Sequence, residues 1–163
     1  MVELIVVMVL VGILAAFAAG RFFDRSGFDA AAFADQTRSL LRYAQKAAIA
    51  RNAPVHVLID DHRIALCYDT PRSECPPVSR VSAPIGGIDD KASKTWCRDG
   101  RWYCLGIPEN VQMSLSSAMS DFSFDALGRP VASNGSFAGL TMTIASPGET
   151  RSVAVNQETG YVQ

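Results

Sequence analysis

Four cysteines carry the first chemical signal in this 163-residue sequence: Cys67, Cys75, Cys97 and Cys104, separated by 8, 22 and 7 positions. None forms a C-x-x-C pair, which argues against a zinc ribbon or a thioredoxin-type redox motif. An even number of cysteines beyond an apolar N-terminus fits disulfides formed in an oxidising compartment. Two local bridges, Cys67–Cys75 and Cys97–Cys104, need no assumption about distant strands. Crossed pairing such as Cys67–Cys104 is the competing arrangement. In either case the expected role is to staple a loop. Asp60-Asp61-His62 and Asp89-Asp90 have metal-ligand residue types, but aspartate is also a standard turn former. The two histidines, His56 and His62, fall in a strand pattern and a turn pattern, so structural or solvated roles fit both. No G-x-S-x-G, H-E-x-x-H or phosphate-binding loop occurs. The residues therefore call for no enzyme, no metal and no cofactor.

The remaining chemical group is Glu3. It precedes residues 4–20, LIVVMVLVGILAAFAAG, which carry no charge. Of the first 20 residues 17 are apolar, against about 43% of the rest. As a helix, residues 4–20 would reach roughly 25 Å, the lower limit of a bilayer crossing. A secretory signal peptide would need a positive n-region, and the charge here is negative. A buried core helix fits an uninterrupted apolar N-terminus poorly. A membrane segment continuous with a longer helix fits best. An ionisable side chain at its edge is costly in lipid and points to function; headgroup-level placement is the plain alternative.

These residues must be positioned by a helix and a β-domain. Phe33, Leu40, Leu41, Ala44, Ala47 and Ala48 recur on one helical face, and Asn52-Ala53-Pro54 ends the pattern. Unbroken, residues 1–52 would be about 78 Å long, with Gly20 and Ser26-Gly27 as points where a bend is expected. After Pro54 the period becomes two: Val55, Val57 and Ile59 lead through Asp60-Asp61-His62 to Ile64, Leu66 and Tyr68, a hairpin. Residues 69–95 read as a long irregular loop. Residues 96–104 carry an Asp-Gly hairpin signal at Asp99-Gly100. Apolar runs at 111–115, 122–124, 140–144, 151–155 and 161–162 alternate with turn signals, including Gly128-Arg129-Pro130, Asn134-Gly135 and Thr159-Gly160. The expected fold is α+β: a long N-terminal helix, transmembrane in its first half, packed on a C-terminal antiparallel β-domain. The expected segments are 1–20 for membrane and assembly, 21–54 for the amphipathic continuation, and 55–163 for the extracytoplasmic β-domain. Fifteen Lys and Arg balance sixteen Asp and Glu, which argues against a generally basic nucleic-acid binder.

The stretch from Met1 through Glu3 to Ala16 resembles the N-terminus of type IV pilins and pseudopilins. The resemblance implies that Glu3 matches the glutamate five residues into the mature chain. Met1 then matches the third mature position, and the short leader cut by a prepilin peptidase, with the N-methylated first residue, would lie outside this chain. It implies that Glu3 faces the N-terminal amine of a neighbouring subunit and sets axial register. Leu4, Ile5, Val6, Val7, Met8, Val9, Leu10, Val11, Ile13 and Leu14 would hold the subunit in the membrane and later line a filament core. Residues 41–50 with Val55-His56-Val57, and Phe124-Asp125-Ala126-Leu127-Gly128-Arg129, resemble the GspH/FimT type. Gly20-Arg21-Phe22-Phe23-Asp24 is most similar to MSHA minor pilins of the MshC type. The implied function is a minor pilin or pseudopilin of a type IV pilus or type II secretion pseudopilus. Its partners would be other pilin subunits, and its place the bacterial inner membrane with the β-domain in the periplasm. Two other functions compete. A DNA-binding module of the same fold would need basic residues in its tail, and residues 159–163 hold no arginine, although Arg129 and Arg151 lie nearby. A membrane-anchored periplasmic enzyme has no catalytic motif behind it.

Overall fold

The computed structural model describes residues 2–22, 26–71, 74–84, 89–119, 121–133 and 135–163, and its helical side chains at 2–15 and from 28 onward. Helix α1 spans Val2–Phe22 and helix α2 spans Ser26–Arg51. Gly20 and Ser26-Gly27 lie in helical backbone, and the segment 23–25 between the helices lies outside the described residues.

Two antiparallel sheets follow. Strands β1 (Val55–Ile59), β2 (Arg63–Cys67), β3 (Cys104–Gly106), β5 (Asp121–Phe124) and β6 (Pro130–Ala132) form one, in the order β3-β2-β1-β5-β6. Strands β4 (Gln112–Leu115), β7 (Leu140–Ser146) and β8 (Glu149–Val155) form the other, with β7 in the middle. The β1–β2 hairpin has the expected register, with Ile59 opposite Ile64. Its turn is made by Asp60, whose Oδ1 accepts from the backbone N–H of His62 and of Arg63, both at 2.9 Å. That is the aspartate turn-former role, and it occupies the first carboxylate of the Asp60-Asp61-His62 group. Gly148, at φ 87°, turns β7 into β8, and seven residue pairs run from Leu140–Val155 to Ser146–Glu149.

Alternation decides what is buried. Phe122 and Phe124 of β5, Leu140, Met142 and Ile144 of β7, and Val153 and Val155 of β8 point inward. Helix α2 covers them with Ala30, Phe33, Ala34, Thr37, Leu40, Leu41, Ala44 and Ala48, all buried. The sequence stripe is therefore the seat of the helix on both sheets, extended by Ala30, Ala34 and Thr37; Ala47 is half-buried at its margin. Polar bonds fix the seating. Arg42 donates through Nε and Nη2 to the Val162 carbonyl at 3.2 and 3.0 Å. Gln45 Nε2 donates to the carbonyls of Gly128 and Thr159, both at 2.9 Å.

Two expectations need correction. Residues 69–95 are not uniformly irregular: Pro77–Ser79 makes a 3₁₀ turn, and helix α3 spans Lys91–Cys97. Asp90 caps that helix by accepting from Ser93 N–H at 2.8 Å. Residues 96–104 are not a hairpin. Trp96 and Cys97 close α3, Arg98 takes the left-handed conformation at φ 58°, and Asp99 Oδ1 accepts from Arg101 N–H at 3.0 Å. The chain then passes Trp102 into β3. The Asp-Gly dipeptide does make a tight turn, but the element before it is helical because the Asp90 cap starts a helix there. The final apolar pair at 161–162 forms a single bridge to β8, Val155 with Val162. Asn134 of the Asn134-Gly135 turn signal lies outside the described residues.

Candidate assembly surface

Over its described side chains, residues 2–15, helix α1 is exposed throughout. Val2, Leu4, Ile5, Val6, Val7, Met8, Val9, Leu10, Val11, Ile13 and Leu14 are 51–75% exposed. Successive residues turn by about 100°, so this run covers the whole circumference of the helix rather than one stripe. A helix apolar all round is stable only when other apolar matter surrounds it. At about 1.5–3 kcal/mol for each large apolar side chain covered, burying eleven of them is worth on the order of 15–30 kcal/mol. That exceeds the typical net stability of a domain, so the exposed apolar face of α1 is a large unmatched surface.

Glu3 stands in the first turn of α1, where a carboxylate interacts favourably with the helix dipole. Its side chain is exposed and has no ion-pair partner among the described residues. The backbone of α1 is helical for 21 residues, but its side chains are described over 2–15. Among the described residues no helix is long and apolar enough to cross a membrane.

The cysteines sit apart from this surface, in a small cluster of Ala65, Cys67, Cys75, Cys97, Trp102 and Cys104. The bridges are the local set, Cys67–Cys75 and Cys97–Cys104, each with Cα atoms 5.9 Å apart. The first ties β2 to the Pro-rich segment. The second ties α3 to β3. Trp102, 1% exposed, fills the space between them, and its Nε1 donates to the Leu66 carbonyl at 2.8 Å. Arg80 lies 4.5 Å over the Trp102 ring and pairs with Asp99 at 3.3 Å. The hydrogen bond from the Arg101 backbone N–H holds the Asp99 carboxyl below its ordinary range, against the opposing effect of burial and with smaller help from Arg80.

His56 lies in β1 opposite Cys67 on β2 and Ser123 on β5. Burial lowers its pKa from 6.5, while the charges of Asp121 and Asp69 pull it upward by less. Its Nδ1 is buried with no hydrogen-bond partner among the described residues. A folded pKa below the unfolded one means the unfolded chain binds the extra proton. This part of the stability is complete above pH 6.5 and is lost as pH falls through the folded pKa. Melting temperature should therefore drop as pH is lowered from 7 to about 5, and His56→Gln should flatten that slope. A variant with an unchanged slope would refute this role.

Of the basic residues near the C-terminal turn, Arg129 is exposed, while Arg42 and Arg151 are engaged within the domain. Arg42 is spent on the Val162 carbonyl, and Arg151 Nε lies 2.6 Å from Glu149 Oε1. The Phe124-to-Arg129 motif has a structural purpose. Asp125 Oδ1 accepts from Leu127 and Arg129 N–H, both at 2.8 Å, and Gly128 at φ 78° presents its carbonyl to Gln45. Arg42, Gln45 and Gly160 were not legible as a group. A side chain over Gly160 would run into the Gly128 carbonyl and come within 2.9 Å of Gln45 Nε2, so the C-terminal turn can close on α2 only with glycine there.

No protein-family model matches the chain, and no curated protein is significantly similar in sequence. Solved structures do match in fold. The type IV minor pilin FimU of Pseudomonas aeruginosa aligns with a TM-score of 0.53 at 15% identity, over 81% of this chain and 89% of that one. The minor pseudopilin EpsH from the type 2 secretion system of Vibrio cholerae aligns with a TM-score of 0.52 at 17% identity, over 83% and 94%. At these identities the likeness is one of fold: a helix laid on antiparallel sheets, in the pilin and pseudopilin arrangement.

Proposed function

We propose that this chain is a minor pilin or pseudopilin, a non-enzymatic subunit of a type IV pilus or a type II secretion pseudopilus. The observation that carries the reading is the all-round apolar α1 attached to a pilin-like domain. Helix α1 first serves as a single-pass inner-membrane anchor with the β-domain in the periplasm. It then packs laterally against the α1 helices of other subunits. Both environments supply the apolar surroundings the helix lacks in its own domain. Glu3 sets axial register: its carboxylate is costly in lipid and is compensated by pairing with a neighbour's N-terminal amine. The partners are other pilin subunits, the inner membrane and a prepilin peptidase. The sequence at Gly20 to Asp24 favours an MSHA-type system.

Fractionation of cells producing the tagged chain tests this. The chain should stay in carbonate-resistant membranes and also appear with sheared surface filaments or overproduced pseudopili. A chain found wholly in the soluble fraction would overturn the reading.

A further inference from the structure

The two tryptophans are treated oppositely by the fold. Trp102 is 1% exposed and bonded, whereas Trp96 is 40% exposed although it sits on a capped and disulfide-tied helix. Helix α3 is capped by Asp90 and bridged to β3 through Cys97–Cys104. Ser93 Oγ also accepts from Gly106 N–H at 2.9 Å. The His62 ring stacks on the Trp96 indole with centroids 3.8 Å apart and planes within 2°. Arg63 Nη1 donates to the Trp96 carbonyl at 3.0 Å. An exposed aromatic held this firmly is a preorganised platform, because little freedom remains to be lost on binding.

Trp96 forms part of a cleft of about 360 Å³, with Ile107 and Pro108 as its other apolar wall. Polar groups complete it. Asn110 Nδ2 donates to Asp29 Oδ2 at 2.7 Å, which leaves the Asn110 carbonyl and the second Asp29 oxygen as acceptors. Lys91 pairs with Glu109 at 3.3 Å on the rim. An apolar plate beside oriented acceptors suits a ring with one C–H face and hydroxyl or amide donors at its edge. The cleft lining holds three carboxylates, Asp29, Asp90 and Glu109, against the one ammonium of Lys91, so an anionic ring is disfavoured. We propose that this cleft binds a neutral saccharide of the N-acetylhexosamine type. The sugar face lies on Trp96, the acetamido methyl against Ile107 and Pro108, and the amide N–H toward the Asp29–Asn110 pair.

The full chain in a sugar-free detergent, titrated with chitotriose and followed by tryptophan fluorescence, tests the assignment. Saturation in the range of about 1 mM is expected, weakened about tenfold or more by Trp96→Ala and less by Trp96→Phe. The near-ultraviolet dichroism of Trp102 should be retained in both variants, which separates loss of the platform from loss of the fold. Sialyllactose should bind at least about fivefold more weakly, as like charges repel. No saturation by chitotriose would overturn the proposal. So would equal binding by a folded Trp96→Ala variant, equal binding of sialyllactose, or saturation by a proline-rich peptide in place of the sugar.

Discussion

Gly106→Ala should lower the stability of the β-domain by about 2–4 kcal/mol, a large effect for adding one methyl group. Gly106 ends β3 directly beneath helix α3. A Cβ there would run into the backbone carbonyl of Ala92 and lie 2.6 Å from the backbone N of Ser93. These are main-chain atoms of a capped and disulfide-tied helix, so they cannot swing aside as a side-chain tip would. The Gly106 N–H is also the donor to Ser93 Oγ, so displacing α3 breaks that bond and leaves a buried donor unpaired. Urea unfolding of the two proteins checks this, with the midpoint falling and the slope unchanged. By contrast Gly100→Ala, where a Cβ meets nothing within 4 Å, should change stability by no more than about 0.5 kcal/mol. Equal stability of Gly106→Ala and the parent would mean that α3 is not seated on β3 as described.

Glu3→Leu should reduce incorporation into filaments at least tenfold while leaving the β-domain folded. The substitution makes α1 more apolar, so membrane retention should hold or improve. In the proposed register role it removes the charge that would compensate a neighbour's buried amine, and an unpaired buried charge typically costs about 3–5 kcal/mol. The domain should not respond, because the side chains of residues 2–15 are exposed and Glu3 has no ion-pair partner among the described residues. Equal melting curves, equal membrane fractions and unequal filament fractions form the expected pattern. Glu3→Asp should restore part of the incorporation, since the charge is kept and its reach shortened. Full incorporation of Glu3→Leu would remove register-setting from the role of this residue.

Much of this architecture can be read from periodicity. The Phe33-to-Ala48 stripe repeats on one helical face, and that face is the one buried on the sheets. The change to period two after Pro54 marks β1, and Asp60-Asp61-His62 marks its turn. The local cysteine pairs are one of the open arrangements, and the fold selects them by bringing Cys75 beside β2 and Cys97, at the end of α3, beside β3. Helix α3 itself was hidden. Seven residues give too little periodicity, and the surrounding Pro, Gly and Ser read as loop. The signal that could have found it is Asp90 ahead of Lys91-Ala92, a cap followed by helix formers. Strand β6 was hidden because Pro130 reads as turn, yet an edge strand tolerates a proline at its first position. The tie from Gln45 to Gly128 and Thr159 spans 83 and 114 positions, and no local pattern encodes such a partner. The exposed setting of Trp96 is equally a product of tertiary contacts. For the assembly surface the sequence is more direct than the fold: the apolar run and its single carboxylate stand at residues 3–20 in plain view.

The central claim is that α1 is covered by the α1 helices of other subunits. A photo-crosslinking amino acid at Val7, which is 53% exposed, reports directly on what covers it in producing cells. Irradiation followed by peptide mass spectrometry should yield adducts to the apolar N-terminal helix of another pilin subunit, and Glu3→Leu should deplete them. Adducts confined to lipid in cells that assemble filaments, or adducts to the β-domain of the same chain, would contradict the account.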